Sequence, residues 1–160
     1  MLPSRPAPVS PLRFHHVAVQ TDDLDNCISW YQDFFTCRPT WTLDEFSELT
    51  RSRLPGIVRL TEVTMGDIRL HLFERPGRAA PHPNDSTTQF QHVCLYVETG
   101  DELPVWRERW LELYASGRYR FAFDDLPSEI VTDADGTQSF YAFDVNGLEF
   151  EFTYLPGEHP

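Results

Sequence analysis

Apolar positions recur along this chain in two rhythms, and the order of the rhythms repeats. Leu24, Cys27, Ile28, Tyr31, Phe34 and Phe35 fall on one stripe at helical spacing, with Asp22 and Asp23 ahead of them as cap and dipole-compensating acids. Leu103, Trp106, Trp110, Leu113 and Tyr114 do the same, and Gly117 supplies a stop just past the last of them. A strand-like segment stands ahead of each helix, FHHVAVQT at 14–21 and FQHVCLYV at 90–97. Further β-type segments follow each helix, predicted over 38–43, 57–65 and 68–74 in the first half and over 119–123, 138–143 and 148–154 in the second. Gly66-Asp67 and Asn146-Gly147 sit where two-residue hairpin turns belong.

Strand, helix and three strands therefore occur twice, which predicts an α+β fold of two paired βαβββ modules rather than a wound parallel sheet. The boundaries are a Pro-rich arm over 1–12, a first module over 13–77, a polar linker over 78–88 and a second module over 89–157. Strand parity adds direction. In IRLHLFE, Ile68, Leu70 and Leu72 share one face while Arg69, His71 and Phe73 share the other. Leu148, Phe150 and Phe152 likewise oppose Glu149, Glu151 and Thr153, and Val17 and Val19 oppose His16 and Ala18. Val93, Leu95 and Val97 oppose His92, Cys94 and Tyr96. Each module thus has an apolar face for its helix and a second face carrying His or Glu.

With 160 residues, 41% of them hydrophobic, the chain has enough apolar surface for a core, which excludes collagen-like, coiled-coil and wholly disordered readings. A net charge of −12 repels phosphate backbones and anionic headgroups, so neither nucleic acid nor a membrane surface is an expected partner. Cys27, Cys37 and Cys94 are an odd number without metal-type pair spacing, as reduced thiols in a cytoplasmic protein would be. The first residues, MLPSRPAPVSPL, hold four prolines and no apolar run of signal-peptide length, and the rest of the chain has no run of transmembrane length. Aromatic residues at 14% suit either a well-filled core or a pocket for a flat apolar ligand.

The chemistry concentrates on the faces turned away from the helices. His16, His71, His92 and Glu151 lie there on the first and last strands of the modules, with 76 residues separating His16 from His92 and 80 separating His71 from Glu151. Such matched offsets are what a duplicated unit gives. Imidazoles plus one carboxylate suit a first-row divalent metal if the two sheets curl into one cup. The other histidines read as structural: His15 faces away from His16, and His82 and His159 fall in linker and tail.

In the order and spacing of these elements, from Arg13 to Gly157, the sequence resembles the vicinal oxygen chelate superfamily, which includes glyoxalase I, methylmalonyl-CoA epimerase, fosfomycin- and bleomycin-resistance proteins and type I extradiol dioxygenases. The resemblance implies a curved mixed sheet cup with metal ligands at His16, His71, His92 and Glu151. It leaves the reaction open. Glyoxalase- or epimerase-type enzymes have four protein ligands, and His71 would be the fourth, on Mn, Ni, Zn or Co; a metal-free drug-binding protein would not need ligand-type residues at all four positions.

The run SFYAFDVNGLEFEF places Tyr141 ten residues before Glu151 and, across the Asn146-Gly147 turn, beside it. Extradiol dioxygenases resemble this, and the resemblance implies Fe(II) on His16, His92 and Glu151, a catechol and O2 as partners, Tyr141 on the substrate oxygen and His71 as an acid/base histidine. The larger ring-cleaving enzymes carry a further histidine about nine residues before the tyrosine, where this chain has Thr132. The short two-module chain, with WYQDFFTCRPTW and SRLPGI, is most similar to the compact L-DOPA 2,3-extradiol dioxygenases of natural-product pathways. L-DOPA would need an arginine for its carboxylate, for which Arg53, Arg59, Arg118 and Arg120 are candidates. One chain completing the site and two chains sharing it in a homodimer use the same four residues, so the sequence leaves that choice open.

Overall fold

A computed structural model describes residues 15–77, 82, 92–134 and 136–157. The arm over 1–12, most of the linker and His159 lie outside them. The chain forms β1 (Val17–Thr21), α1 (Leu24–Phe35), β2 (Arg38–Leu43), α2 (Glu48–Arg53), β3 (Arg59–Met65), β4 (Ile68–Glu74), β5 (His92–Tyr96), α3 (Glu102–Ala115), β6 (Val131–Thr132), β7 (Gln138–Phe143) and β8 (Glu149–Tyr154). Two four-stranded sheets result, in the orders β1-β4-β3-β2 and β5-β8-β7-β6. In both, the first strand runs parallel to the last and the remaining pairs are antiparallel. This is the duplicated βαβββ architecture that the periodicity predicts.

Helix α1 begins where Asp23 accepts a hydrogen bond from the Asn26 amide at 3.0 Å, satisfying one of the amides a helix start leaves without a partner. Its predicted stripe is the buried one: Leu24, Cys27, Tyr31, Phe34 and Phe35 are at most 2% exposed. Trp30 belongs to it as well, at 1%. Each such side chain contributes roughly 1.5–3 kcal/mol by leaving water. The stripe meets both sheets. Leu70, Leu72 and Val63 of the first sheet and Phe140, Phe150 and Phe152 of the second share one core with it, and the Phe35 ring lies 5.2 Å from that of Phe150. Because the apolar faces of both sheets turn toward this shared core, the faces bearing histidine and glutamate turn away from it.

A buried polar junction fixes the second hairpin to α1. Asp144, 1% exposed, accepts from the Leu148 amide at 2.7 Å, the Asn146 amide at 2.9 Å and the Tyr31 hydroxyl at 2.9 Å. At the same turn Gly147 has φ 88°, and an added Cβ would stand 2.4 Å from the Phe123 ring, so both backbone and space require glycine.

Two elements and one turn depart from the sequence expectation. The second hairpin, expected to close on Asn146-Gly147 alone, closes over three residues, 145–147, with the Asp144 amide donating to the Leu148 carbonyl at 2.8 Å. Residues 119–123 form no strand; their alternation comes from packing, with the Phe121 ring 5.1 Å from those of Trp110 and Tyr114. The short partner of β7 is instead Val131–Thr132, which includes the threonine singled out before Tyr141. Helix α2 has no apolar stripe to announce it and rests on the Ser47 side chain, which accepts from the Thr50 amide at 3.2 Å. The three cysteines are free, as expected, with Cys27 and Cys37 buried and Cys94 exposed. None of the described helices is long and apolar enough to cross a membrane.

Candidate metal centre

The first sheet carries half of the candidate site. Pairing of β1 with β4 sets Ala18 beside His71, so His16, two residues earlier, extends the same face. The His16 and His71 rings stack with centroids 3.7 Å apart. His15 joins them: its Nδ1 is 2.8 Å from Nδ1 of His16, and ligand atoms of all three histidines lie within 4.8 Å of one another. The expectation that His15 faces away therefore fails. Contacts with His16 and Arg69, rather than the strand ladder, turn its ring to this face.

Burial, followed by the charges of His71 and His15, holds His16 below the usual histidine range, which favours the neutral imidazole that a metal needs. His71 has a partner of its own. The β3–β4 register sets Glu62 opposite it, and its Nε2 lies 3.0 Å from Glu62 Oε2. The Thr40 hydroxyl donates to Glu62 Oε1 at 2.6 Å. That hydrogen bond, assisted by those to His71 and the charge of Arg69, holds the Glu62 carboxyl below the ordinary range, so it stands as a carboxylate acceptor beside the imidazole. The Trp41 and His71 rings meet at 5.0 Å between centroids, with their planes at 78°. Sequence reasoning missed Glu62, although counting back from the Gly66-Asp67 turn pairs it with His71.

The second sheet carries the other half. His92 Nε2 lies 3.2 Å from Glu151 Oε2. Tyr141, directly opposite Glu151 in the ladder, donates its hydroxyl to Oε1 at 3.0 Å. Burial and the neighbouring carboxylate push the Tyr141 phenol up to about 12, so it is a proton donor at any physiological pH. Cys94 faces Glu151 from β5, and partial desolvation on the sheet face together with that carboxylate pushes its thiol up to about 11. His82, read from sequence as a linker histidine, packs at 4.6 Å from Phe123 and 5.0 Å from Phe143, with Nε2 3.4 Å from Asp125. Phe143 shares the face of Tyr141 two residues on, which places His82 at the edge of this half-site.

Within one chain the halves stay separate. Among the described residues, His15, His16 and His71 are the one group of three or more metal-type side chains with ligand atoms within 4.8 Å of one another, so His16, His92 and Glu151 do not converge there. A cleft of about 260 Å³ between the modules, lined by Gln20, Asp22, Asn26, Arg120, Phe121 and Phe123 among others, contains none of them. Three of the arginines considered for a substrate carboxylate are occupied: Arg59 by Glu74 and Asp25, Arg118 by Asp33, and Arg120 by Asp22 and Asp23. The Arg53 side chain is outside the described ones.

The profile of the Glyoxalase/Bleomycin resistance protein/Dioxygenase superfamily matches residues 13–160, nearly the whole chain. The chain belongs to that superfamily. Solved structures of the glyoxalase/bleomycin resistance/dioxygenase fold agree. A domain of that description from Frankia sp. EAN1pec superposes with a TM-score of 0.70 at 14% identity, covering 94% of this chain and 96% of that one. Lactoylglutathione lyase from Agrobacterium tumefaciens gives 0.56 at 22% identity, over 90% and 94% of the two chains. The fosfomycin resistance protein FosX from Listeria monocytogenes, solved with Mn(II) and sulfate, gives 0.57 at 14% identity, over 94% and 96%. No curated protein matches the sequence. Membership in the glyoxalase/dioxygenase superfamily fixes the fold; the reaction has to be argued from the site.

Proposed function

We propose that the protein is an Fe(II)-dependent extradiol dioxygenase that opens the ring of a catechol, with L-DOPA cleaved at the 2,3 position as its substrate. Its metal would be held by His16, His92 and Glu151 where the first module of one copy meets the second module of another, because one chain presents the two halves on separate faces. Two imidazoles and a carboxylate are the donor set of the facial triad of non-haem iron oxygenases. When bound, iron supplies the positions at which catechol and O2 are brought together.

The observation that carries this reading is the Tyr141 hydroxyl, a protonated donor 3.0 Å from Glu151 and thus beside any oxygen of a ligand bound there. It would donate to the substrate oxygen as negative charge develops, a stabilisation realised mainly in the transition state. His71 leans on Glu62 through Nε2, and this pairing gives it the support of a general base that takes a proton from a catechol hydroxyl and returns it later. Trp41, beside His71, offers a flat apolar wall to the ring. Both atoms of O2 enter the ring-opened product, so the reaction balances without an external reductant.

One observation favours a second reading, a glyoxalase- or epimerase-type enzyme. His71 stacks on His16 and occupies the position matching Glu151, as a fourth ligand would, and lactoylglutathione lyase shares the fold. The deciding experiment adds L-DOPA in air to Fe(II)-loaded protein. A yellow ring-opened semialdehyde formed with one O2 consumed per catechol supports the dioxygenase, whereas absence of O2 uptake with L-DOPA and with simpler catechols overturns it.

A further inference from the structure

We propose that Arg69 and Arg38 form an anion-binding row that takes a carboxylate on the substrate's side chain. The inference rests on the catechol reading for the ring but not for the anion. Across β4, β3 and β2 the register sets Arg69 opposite Thr64 and Thr64 opposite Arg38. Residues directly opposite in antiparallel strands project on the same face about 5 Å apart. Arg38, Thr64 and Arg69 therefore make one row, and Trp41, Glu62 and His71 make the next. Both lie on the face that carries His16. Two residues along a strand span about 6.5–7 Å. Continued one residue, the β1–β4 register sets His16 at the end of the arginine row. A catechol with its oxygens toward His16 and its ring running across the strands beside His71 and Trp41 thus carries a terminal carboxylate, two or three carbons from the ring, to the space between Arg69 and Arg38.

Charge points the same way. Two guanidiniums share a row beside a candidate metal centre, in a chain whose net charge is −12. Arg69 has only a loose countercharge: Glu62 at 3.6 Å, through an oxygen that also faces His71 at 3.0 Å. Carboxylates approach Arg59, Arg107, Arg118 and Arg120 at 2.6–3.3 Å. The close contact of Arg69 is instead the His15 ring, with NH1 2.8 Å from Nε2. A guanidinium presents five N–H groups in a fixed fork suited to two carboxylate oxygens, so Arg69 has donors left for a ligand, and its side chain is 42% exposed. The site therefore favours a catechol with a carboxylate on its side chain, a class to which L-DOPA belongs and dopamine and catechol itself do not.

The test is equilibrium binding, read by quenching of tryptophan fluorescence, with three probes: 3,4-dihydroxyphenylacetate, dopamine, and phenylacetate, which has the carboxylate without the catechol. Wild-type protein should bind the two carboxylates. It should prefer dihydroxyphenylacetate to dopamine by about tenfold or more, the range of a charge-assisted hydrogen-bonded pair. Arg69→Gln should remove most of that preference, Arg69→Lys should restore part of it, and Arg69→Gln with Arg38→Gln should abolish it, dopamine binding staying within about twofold throughout. Thermal unfolding and metal content of the same samples should match wild type. Equal weakening of dopamine and dihydroxyphenylacetate overturns the proposal, as does carboxylate binding that neither arginine affects, or wild-type protein that binds no carboxylate. If catechols fail to bind while phenylacetate binds and depends on Arg69, the anion row stands and the dioxygenase reading falls.

Discussion

Glu62→Gln alters the chemistry of one oxygen at the point where His71 is held. The amide keeps the side chain's volume, and its carbonyl oxygen still accepts from the Thr40 hydroxyl, now 2.6 Å from Oε1. What disappears is the carboxylate oxygen 3.0 Å from His71 Nε2 and 3.6 Å from Arg69 Nε. An amide nitrogen in that place donates instead of accepting, so His71 loses the partner that holds an Nε2 proton in place. With Glu62 only 6% exposed, water is poorly placed to substitute. If His71 moves a proton in the reaction, its contribution is roughly a hundredfold to ten-thousandfold in kcat, and Glu62→Gln should remove most of it while metal stays bound. If His71 is a ligand, loss of an outer partner should appear as metal affinity lowered by about tenfold to a hundredfold. The assay measures kcat and KM with L-DOPA, iron content after dialysis against graded chelator, and the denaturation midpoint on one preparation. Unchanged turnover and iron content would refute the reasoning that Glu62 governs His71.

Tyr141→Phe should fold and keep metal, since the ring's packing survives, while kcat and kcat/KM both fall by about tenfold to a thousandfold; an unchanged rate would return Tyr141 to a packing role. Asp144→Ala strips the acceptor from four donors at the α1 junction and should cost about 3–5 kcal/mol in denaturant unfolding, because buried donors left without partners lose their full desolvation free energy. Alkylation of Cys94 should quicken about tenfold per pH unit from pH 8 to 10, since only the thiolate reacts and the thiol is pushed up to about 11. A plateau near pH 9 would contradict that shift.

Much of this was legible because hairpins with two-residue turns carry their register with them. The Gly66-Asp67 turn alone pairs Glu62 with His71, and the helical stripe of α1 names the buried core. The second hairpin closes over three residues, 145–147, and so sets Tyr141 against Glu151 where a two-residue turn would have set Phe152. The misses share a cause in contacts remote in sequence. Residues 119–123 alternate like a strand because Phe121 packs on α3, and no strand is free to pair with them. His15 is turned against parity by its contact with Arg69, 54 residues on, and His82 is placed by Phe123, Phe143 and Asp125, 41 to 61 residues further along the chain. Parity also cannot show that the two ligand-bearing faces turn away from one shared core, since that depends on how α1 and α3 fill the space between the sheets.

That last feature carries the central claim, that a complete metal centre joins His16 of one copy to His92 and Glu151 of another. The most direct measurement mixes two inactive variants, His16→Ala and Glu151→Ala, unfolded and refolded together with Fe(II). In a twofold-symmetric dimer with shared sites, half of the randomly reassembled dimers contain one of each chain. Each of those has one site with all its ligands, so iron binding and L-DOPA-dependent O2 uptake should return to about a quarter of the wild-type level. Recovery of neither, while wild-type protein taken through the same refolding regains both, would contradict a centre shared between copies.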